Sequence, residues 1–179
     1  MFTSNANSHC SLFGAGAAYN DRAFEMYGWN NVYQSNYGNN PVYLGSEVTT
    51  NIKNHIKHYK TSTIIENGGY TYSSNHTSNT FTSPCAMILF GLNRSGSPSC
   101  CSSPVRIYHC RIFDNNIMIR NFIPMRRTSD GTLGMYDTVQ KKFYINSGKG
   151  TFIAGPTVSN NKISMYASNT ISAKEFIEF

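Results

Sequence analysis

Between Val105 and Gly155 the chain breaks into short extended runs separated by turn residues, and little but an antiparallel sheet can be built from that pattern. In VRIYHCRIFD (105–114), Tyr108, Cys110 and Ile112 alternate with His109 and Arg111, the period of two of a half-buried strand. The run 117–123 is rich in β-branched residues, and Asn115-Asn116 before it suits a two-residue primed turn, because Asn tolerates positive φ. DGTLGMYD (130–137) and KKFYINSGKGTFIAG (141–155) follow. In the latter, NSGKG (146–150) separates Phe143 and Ile145 from Phe152 and predicts a further hairpin.

The rest of the chain agrees in class. Of 179 residues, 13% are charged, and Asn, Ser, Thr and Gly replace the missing charge, as turns and strand faces require. No stretch has the length and periodicity of an amphipathic helix, and none has the roughly 18 apolar residues of a membrane span. Phe2 to Ala18 predicts a strand, a turn and a Gly/Ala-rich strand. A hairpin is expected around Glu66-Asn67-Gly68-Gly69, a buried strand over CAMILFGL (85–92) and a loop over NRSGSPSCCSSP (93–104). The first ten residues lack the basic-then-apolar layout of a signal peptide, so folding in the cytoplasm is the expectation.

The order of strand, Asn turn, strand ending in Phe122-Ile123-Pro124, Gly134-Met135-Tyr136-Asp137, Phe143-Tyr144 and Gly150-Thr151-Phe152 resembles the C-terminal half of a concanavalin A-like or laminin-G-like jelly roll. The likeness is close over 86–156, looser over 2–82 and stops near Thr157. It is narrowest to the domains of phage tail and head-fibre proteins and of gut bacterial surface proteins. The resemblance implies an antiparallel β-sandwich over 1–156, displayed on a virion or cell surface, that binds glycans or a host surface. Other virion or surface proteins and further copies of the chain are its expected partners. The alternative is a structural module serving assembly without binding sugar. Residues 157–179 lie outside the likeness and are expected to complete a sheet or to touch another subunit.

The candidate binding stretch is YGWNNVYQSNYGNNPVY (27–43), where aromatic rings alternate with amides. A sugar ring offers an apolar face edged by hydroxyls, which suits a flat aromatic and amide partners. Trp29, Asn31, Tyr33, Tyr37 and Asn39 form the candidate glycan platform, with Trp29 and Tyr37 expected outside. The same alternation equally fits the core face of two strands joined by an Asn-Tyr-Gly-Asn turn.

Other chemistry is thinly represented. Nine carboxylates are scattered, without the strand-spaced pair a retaining glycosidase needs about 5 Å apart, and the expectation is a protein that is not an enzyme. His55 and His58 would share a helix face but lack a further ligand. Asp130 and Asp137 bracket a Gly-rich turn, yet Asp is also an ordinary turn residue, so calcium is unsupported and no cofactor is expected. Cys10, Cys85, Cys100, Cys101 and Cys110 are odd in number and are read as thiols. The net charge of +6 is dispersed, without the basic stripe of a nucleic-acid binder.

Overall fold

The computed structural model describes residues 9–18, 21–48, 50–77, 80–100, 104–146, 151–158 and 162–167. These residues form strands and turns only, without a helix. The first sheet holds β1 (Cys10–Gly16), β2 (Ala23–Trp29), β3 (Val32–Gly38), β4 (Asn40–Glu47), β8 (Ile88–Leu89), β9 (Gly91–Arg94) and β10 (Ser97–Cys100). Its order is β10-β9-β1-β2-β3-β4, with β8 also on β1. The second sheet holds β11 (Val105–Ile107), β12 (Cys110–Asp114), β13 (Ile117–Arg126), β14 (Leu133–Asp137), β15 (Lys142–Ile145), β16 (Phe152–Val158) and β17 (Lys162–Ala167). Its order is β11-β17-β13-β14-β15, with β12 on β13 and β16 on β17. A small third sheet, β5-β6-β7, consists of β5 (Asn54–His58), β6 (Ser62–Asn67) and β7 (Tyr70–Asn75).

Turn chemistry sets the hairpins. Asn115 and Asn116 have φ of 46° and 66° between β12 and β13, and Gly68 and Gly69 have 53° and 98° between β6 and β7. Both are the positive-φ pairs that match the right-handed twist of flanking strands. Asn30 and Asn31 (49° and 60°) make a third such turn between β2 and β3. The stretch 27–43 is therefore three strands with turns at both ends, rather than two strands with one.

Paired residues share a face. Phe13 and Ala15 of β1, Phe24 and Met26 of β2, and Tyr33, Ser35 and Tyr37 of β3 thus line one side of the first sheet. That side packs on a second layer made by the other two sheets, giving a β-sandwich. Met26, Tyr33, Ile65, Phe90, Phe122, Met135 and Phe152 belong to one buried cluster that joins all three sheets.

Three expectations change. Phe143/Ile145 and Phe152 do not form a hairpin: β15 pairs with β14, and β16 pairs with β17. Residues 93–100 are not a loop but the β9–β10 hairpin, turning at Ser95 (φ 47°) and Gly96 (φ 84°). The apolar run 85–92 is buried over Met87 to Phe90 and at Leu92, but it bends at Phe90 (φ 63°). As a result β8 runs antiparallel to β1 while β9 runs parallel to it. The remainder of NSGKG after Asn146 lies outside the described residues.

Gly134 tests the second sheet. A Cβ there would strike the Tyr144 carbonyl oxygen and come within 2.6 Å of the Phe143 ring. Gly134→Ala is expected to destabilise by about 2 kcal/mol, as overpacking does, and to lower Tm by roughly 5 °C in a thermal melt.

Candidate functional site

The face of the first sheet turned away from the buried cluster, its outer face, is built from the alternate residues of the same strands, and its middle is covered, with Ser11, Glu25, Tyr27, Gln34 and Asn36 all buried. Register places Ser11, Glu25, Tyr27, Trp29, Gln34, Asn36 and Tyr43 on it. Two rings stand out to solvent: Trp29 is 46% exposed and Tyr43 is 68% exposed. Between them runs a row across β2, β3 and β4, since Tyr27 opposes Gln34 and Gln34 opposes Tyr43. Tyr27 and Tyr43 are thus two inter-strand spacings apart, about 10 Å. Trp29 lies one step further along β2, beside the exposed Asn30 of the turn.

The floor of this face is polar and held in place. The Tyr27 hydroxyl donates to Gln34 Oε1 at 2.9 Å. Burial, reinforced by the nearby Glu25 carboxylate and Tyr43, pushes the Tyr27 phenol well above its ordinary value, so it stays a donor. His9 stacks edge-on against Tyr27 (4.5 Å between centroids) and Trp29 (6.0 Å), and its Nε2 sits 3.0 Å from Glu25 Oε1. Ser11 Oγ donates to the same Glu25 oxygen. Trp29 is therefore met edge-on by an imidazole that a buried carboxylate holds.

The five residues of the predicted platform are not brought together. Trp29 is on the outer face and Asn31 is in the turn beside it, its carbonyl accepting from the Val48 N–H at 2.6 Å. Tyr33 is 1% exposed on the inner face, and its hydroxyl accepts from Asn54 Nδ2 at 3.0 Å. Tyr37 is half-buried on the same inner face among Phe24, His58, His76 and Phe81. Asn39 lies at the opposite end of β3 from Trp29, where its Oδ1 accepts from the Arg22 N–H. The strand period divides the aromatic series: Tyr27 and Trp29, two residues apart on β2, lie on the outer face, whereas Tyr33 and Tyr37 on β3 face inward. Tyr43 is the outward partner that the sequence reading left out of the platform, and the β2–β3–β4 register would have found it.

Inside the sandwich is a polar network. His58 Nε2 lies 3.2 Å from the Asn36 carbonyl, so that nitrogen carries the proton. Its Nδ1 is 2.7 Å from Thr63 Oγ1, which also sits 2.7 Å from His76 Nε2 and 2.9 Å from Ser35 Oγ. The His58 ring packs 4.6 Å from Phe24 and 5.2 Å from His76. Burial, then the neighbouring His76, drives the His58 pKa down to about 3, and burial also lowers His76. His58 thus belongs to the interior of the sandwich. On a strand, His58 points inward with Ile56 while His55 points outward, and the two histidines share no ligand site.

Beyond the network, a cleft of about 790 Å³ opens between Phe24, Phe81, Pro84, Met87, Ile112 and Phe113. Among the described residues no group of three or more His, Cys, Asp and Glu is placed to hold a metal ion. Asp130 is engaged by the Arg127 guanidinium and the Thr132 N–H, which hold its carboxyl far below the usual range. Asp137 accepts from the Asn121 and Val139 N–H groups. The expectation of thiols fails at Cys10, which is disulfide-bonded. Cys85 and Cys110 are free, and burial pushes the Cys110 thiol up to about 12, so it is an inert apolar filler.

No protein-family model, curated protein or solved structure matches this chain.

Proposed function

We propose that the chain is a non-catalytic carbohydrate- or host-surface-binding module, a lectin-like jelly roll of the kind carried by phage fibres and bacterial surface proteins. The observation that carries this reading is the pair of exposed rings, Trp29 and Tyr43, on one polar sheet face. Sugar C–H faces stack on such rings while Asn30 and its neighbours take up hydroxyl groups. Covering the open half of an indole removes on the order of 100 Å² of apolar surface from water, about 2 kcal/mol. That exceeds a factor of ten in affinity. A disulfide at Cys10 suits an oxidising surface environment.

A glycan array of the whole chain, followed by titration of each hit, tests this. Trp29→Ala and Tyr43→Ala are each expected to weaken binding at least tenfold with Tm unchanged, because both rings are exposed. Retained affinity in both variants would end the reading.

One observation favours the assembly role instead. Phe113 (55%), Ile117 (69%) and Met118 (39%) expose apolar side chains around the β12–β13 turn. A blank array together with oligomers that Phe113→Ser and Ile117→Ser dissociate would favour assembly.

A further inference from the structure

A second cluster lies where the small third sheet meets the second sheet. Lys53 Nζ sits 4.7 Å from the centre of the Tyr108 ring. The His55 and His109 rings meet edge-on at 6.1 Å. Lys53, His55, His109 and Arg111 are all exposed, and Tyr108, under Lys53, is half-buried. Two parts of the chain more than fifty residues apart thus converge four basic side chains and one phenol on a small area.

These charges are mutually unfavourable. His109 is held below its ordinary value first by partial desolvation, then by Arg111 on the following strand and by His55 and Lys53 from the facing segment. Glu66 on β6 is the one carboxylate among the described residues shown touching this set, and it is divided between His55 (3.0 Å) and Lys57. Like charges gathered on a surface with so little internal neutralisation form a field that an external anion relieves. An anion placed there adds an attraction to each basic group that offsets their mutual repulsion, and makes His109 easier to protonate.

We infer that Lys53, His55, His109 and Arg111, over the Tyr108 ring, form a site for an anionic sugar, one bearing a carboxylate or sulfate group. The exposed imidazoles and the guanidinium supply N–H donors to the acid oxygens, and the phenol supplies an apolar wall for the sugar ring. The cluster is compact and bordered by Glu66, whereas a nucleic-acid groove needs basic groups strung along a backbone track. The choice of a sugar rests on the glycan-binding reading above, while the residues and the face are different.

The test uses the full chain, a sulfated disaccharide, its unsulfated parent and a single-stranded oligonucleotide of equal charge. Binding is followed by imidazole NMR shifts and by titration. The sulfated sugar is expected to move the His55 and His109 ring signals, to raise the His109 pKa and to lose affinity with salt. Lys53→Glu and Arg111→Glu, both at exposed positions, should each weaken it at least tenfold, and Trp29→Ala should leave these shifts intact. Unmoved rings, an equal response to the unsulfated sugar, undiminished binding by the charge-reversed variants, or tighter binding of the oligonucleotide would each overturn the inference. A response at Trp29 without one at His109 would sink this site alone. A response at His109 with Trp29 silent to every sugar would sink the glycan platform and leave the anion site standing.

Discussion

Below pH 6.5 the folded protein is expected to lose stability steeply, with His58 as the largest contributor. The native ring is neutral: its Nε2 proton goes to the Asn36 carbonyl, its Nδ1 lies 2.7 Å from Thr63 Oγ1, and no described carboxylate faces it. A second proton would have to be placed on a ring wedged among Phe13, Phe24, Tyr37 and His76. The folded pKa of about 3 lies below the unfolded value near 6.5. The sign follows from proton binding. Above pH 6.5 neither state takes a proton and the contribution is fully present. Between the two values only the unfolded chain takes one, so stability falls by about 1.4 kcal/mol per pH unit. Over the interval the loss is on the order of 5 kcal/mol, a large share of the 5–15 kcal/mol typical of a domain. The lowered pKa of His76 adds in the same direction. Urea unfolding at several pH values between 7 and 4 measures this slope. His58→Gln should be less stable at pH 7, through lost packing, yet show a slope smaller by close to one proton. An unchanged slope would mean that His58 titrates normally.

Asp137 should be the most sensitive single carboxylate. Its side chain is fully buried, Oδ1 accepts the Asn121 N–H at 3.1 Å and the Val139 N–H at 2.9 Å, and Oδ2 lies 3.6 Å from Arg120 Nε. Asn121 closes the same corner, its Nδ2 donating to Thr138 Oγ1 at 2.7 Å and its carbonyl accepting the Thr138 N–H at 2.9 Å. One carboxylate therefore ties the middle of β13 to the turn that starts β15. Removing it leaves two backbone donors without their acceptor and takes the carboxylate away from a mostly buried guanidinium. Breaking a buried charge pair from one side costs about 3–5 kcal/mol. For a chain of this length that corresponds to a Tm lower by roughly 10 °C in Asp137→Ala. Asp137→Asn keeps the Oδ1 acceptor and should recover a substantial part of the loss. Equal melting of both variants with wild type would show the corner to be solvated.

Particular turns and strands show what could be read from the sequence and what could not. Asn115-Asn116 and Gly68-Gly69 were legible because the backbone at those points needs positive φ and few residues supply it. The β12–β13 and β6–β7 hairpins followed. Asn30-Asn31 has identical chemistry but lies inside an Asn-rich stretch where many Asn pairs compete for the turn. The β15–β16 hairpin failed because period two marks a strand without naming its partner. Phe152 pairs with Ala167, beyond the stretch the local pattern covers. His55 and His58 were compared on a helix, where three residues apart share a face, whereas a strand sends them to opposite sides. Tyr33 and Tyr37 obey the aromatic alternation but on the buried side, and Lys53 and His109 meet only through tertiary packing. Composition carried the fold class. Register between strands, a non-local property, decided which rings face a ligand.

Trp29 is the single tryptophan of the chain, so its fluorescence reports on the proposed platform alone. Titrating the protein with a glycan identified on the array should shift the emission to shorter wavelength and saturate at the affinity measured independently, as a sugar ring covers the open indole face. Tyr43→Ala should weaken that response at least tenfold without altering the starting spectrum much. Glycan binding that leaves the Trp29 emission unchanged would contradict the account.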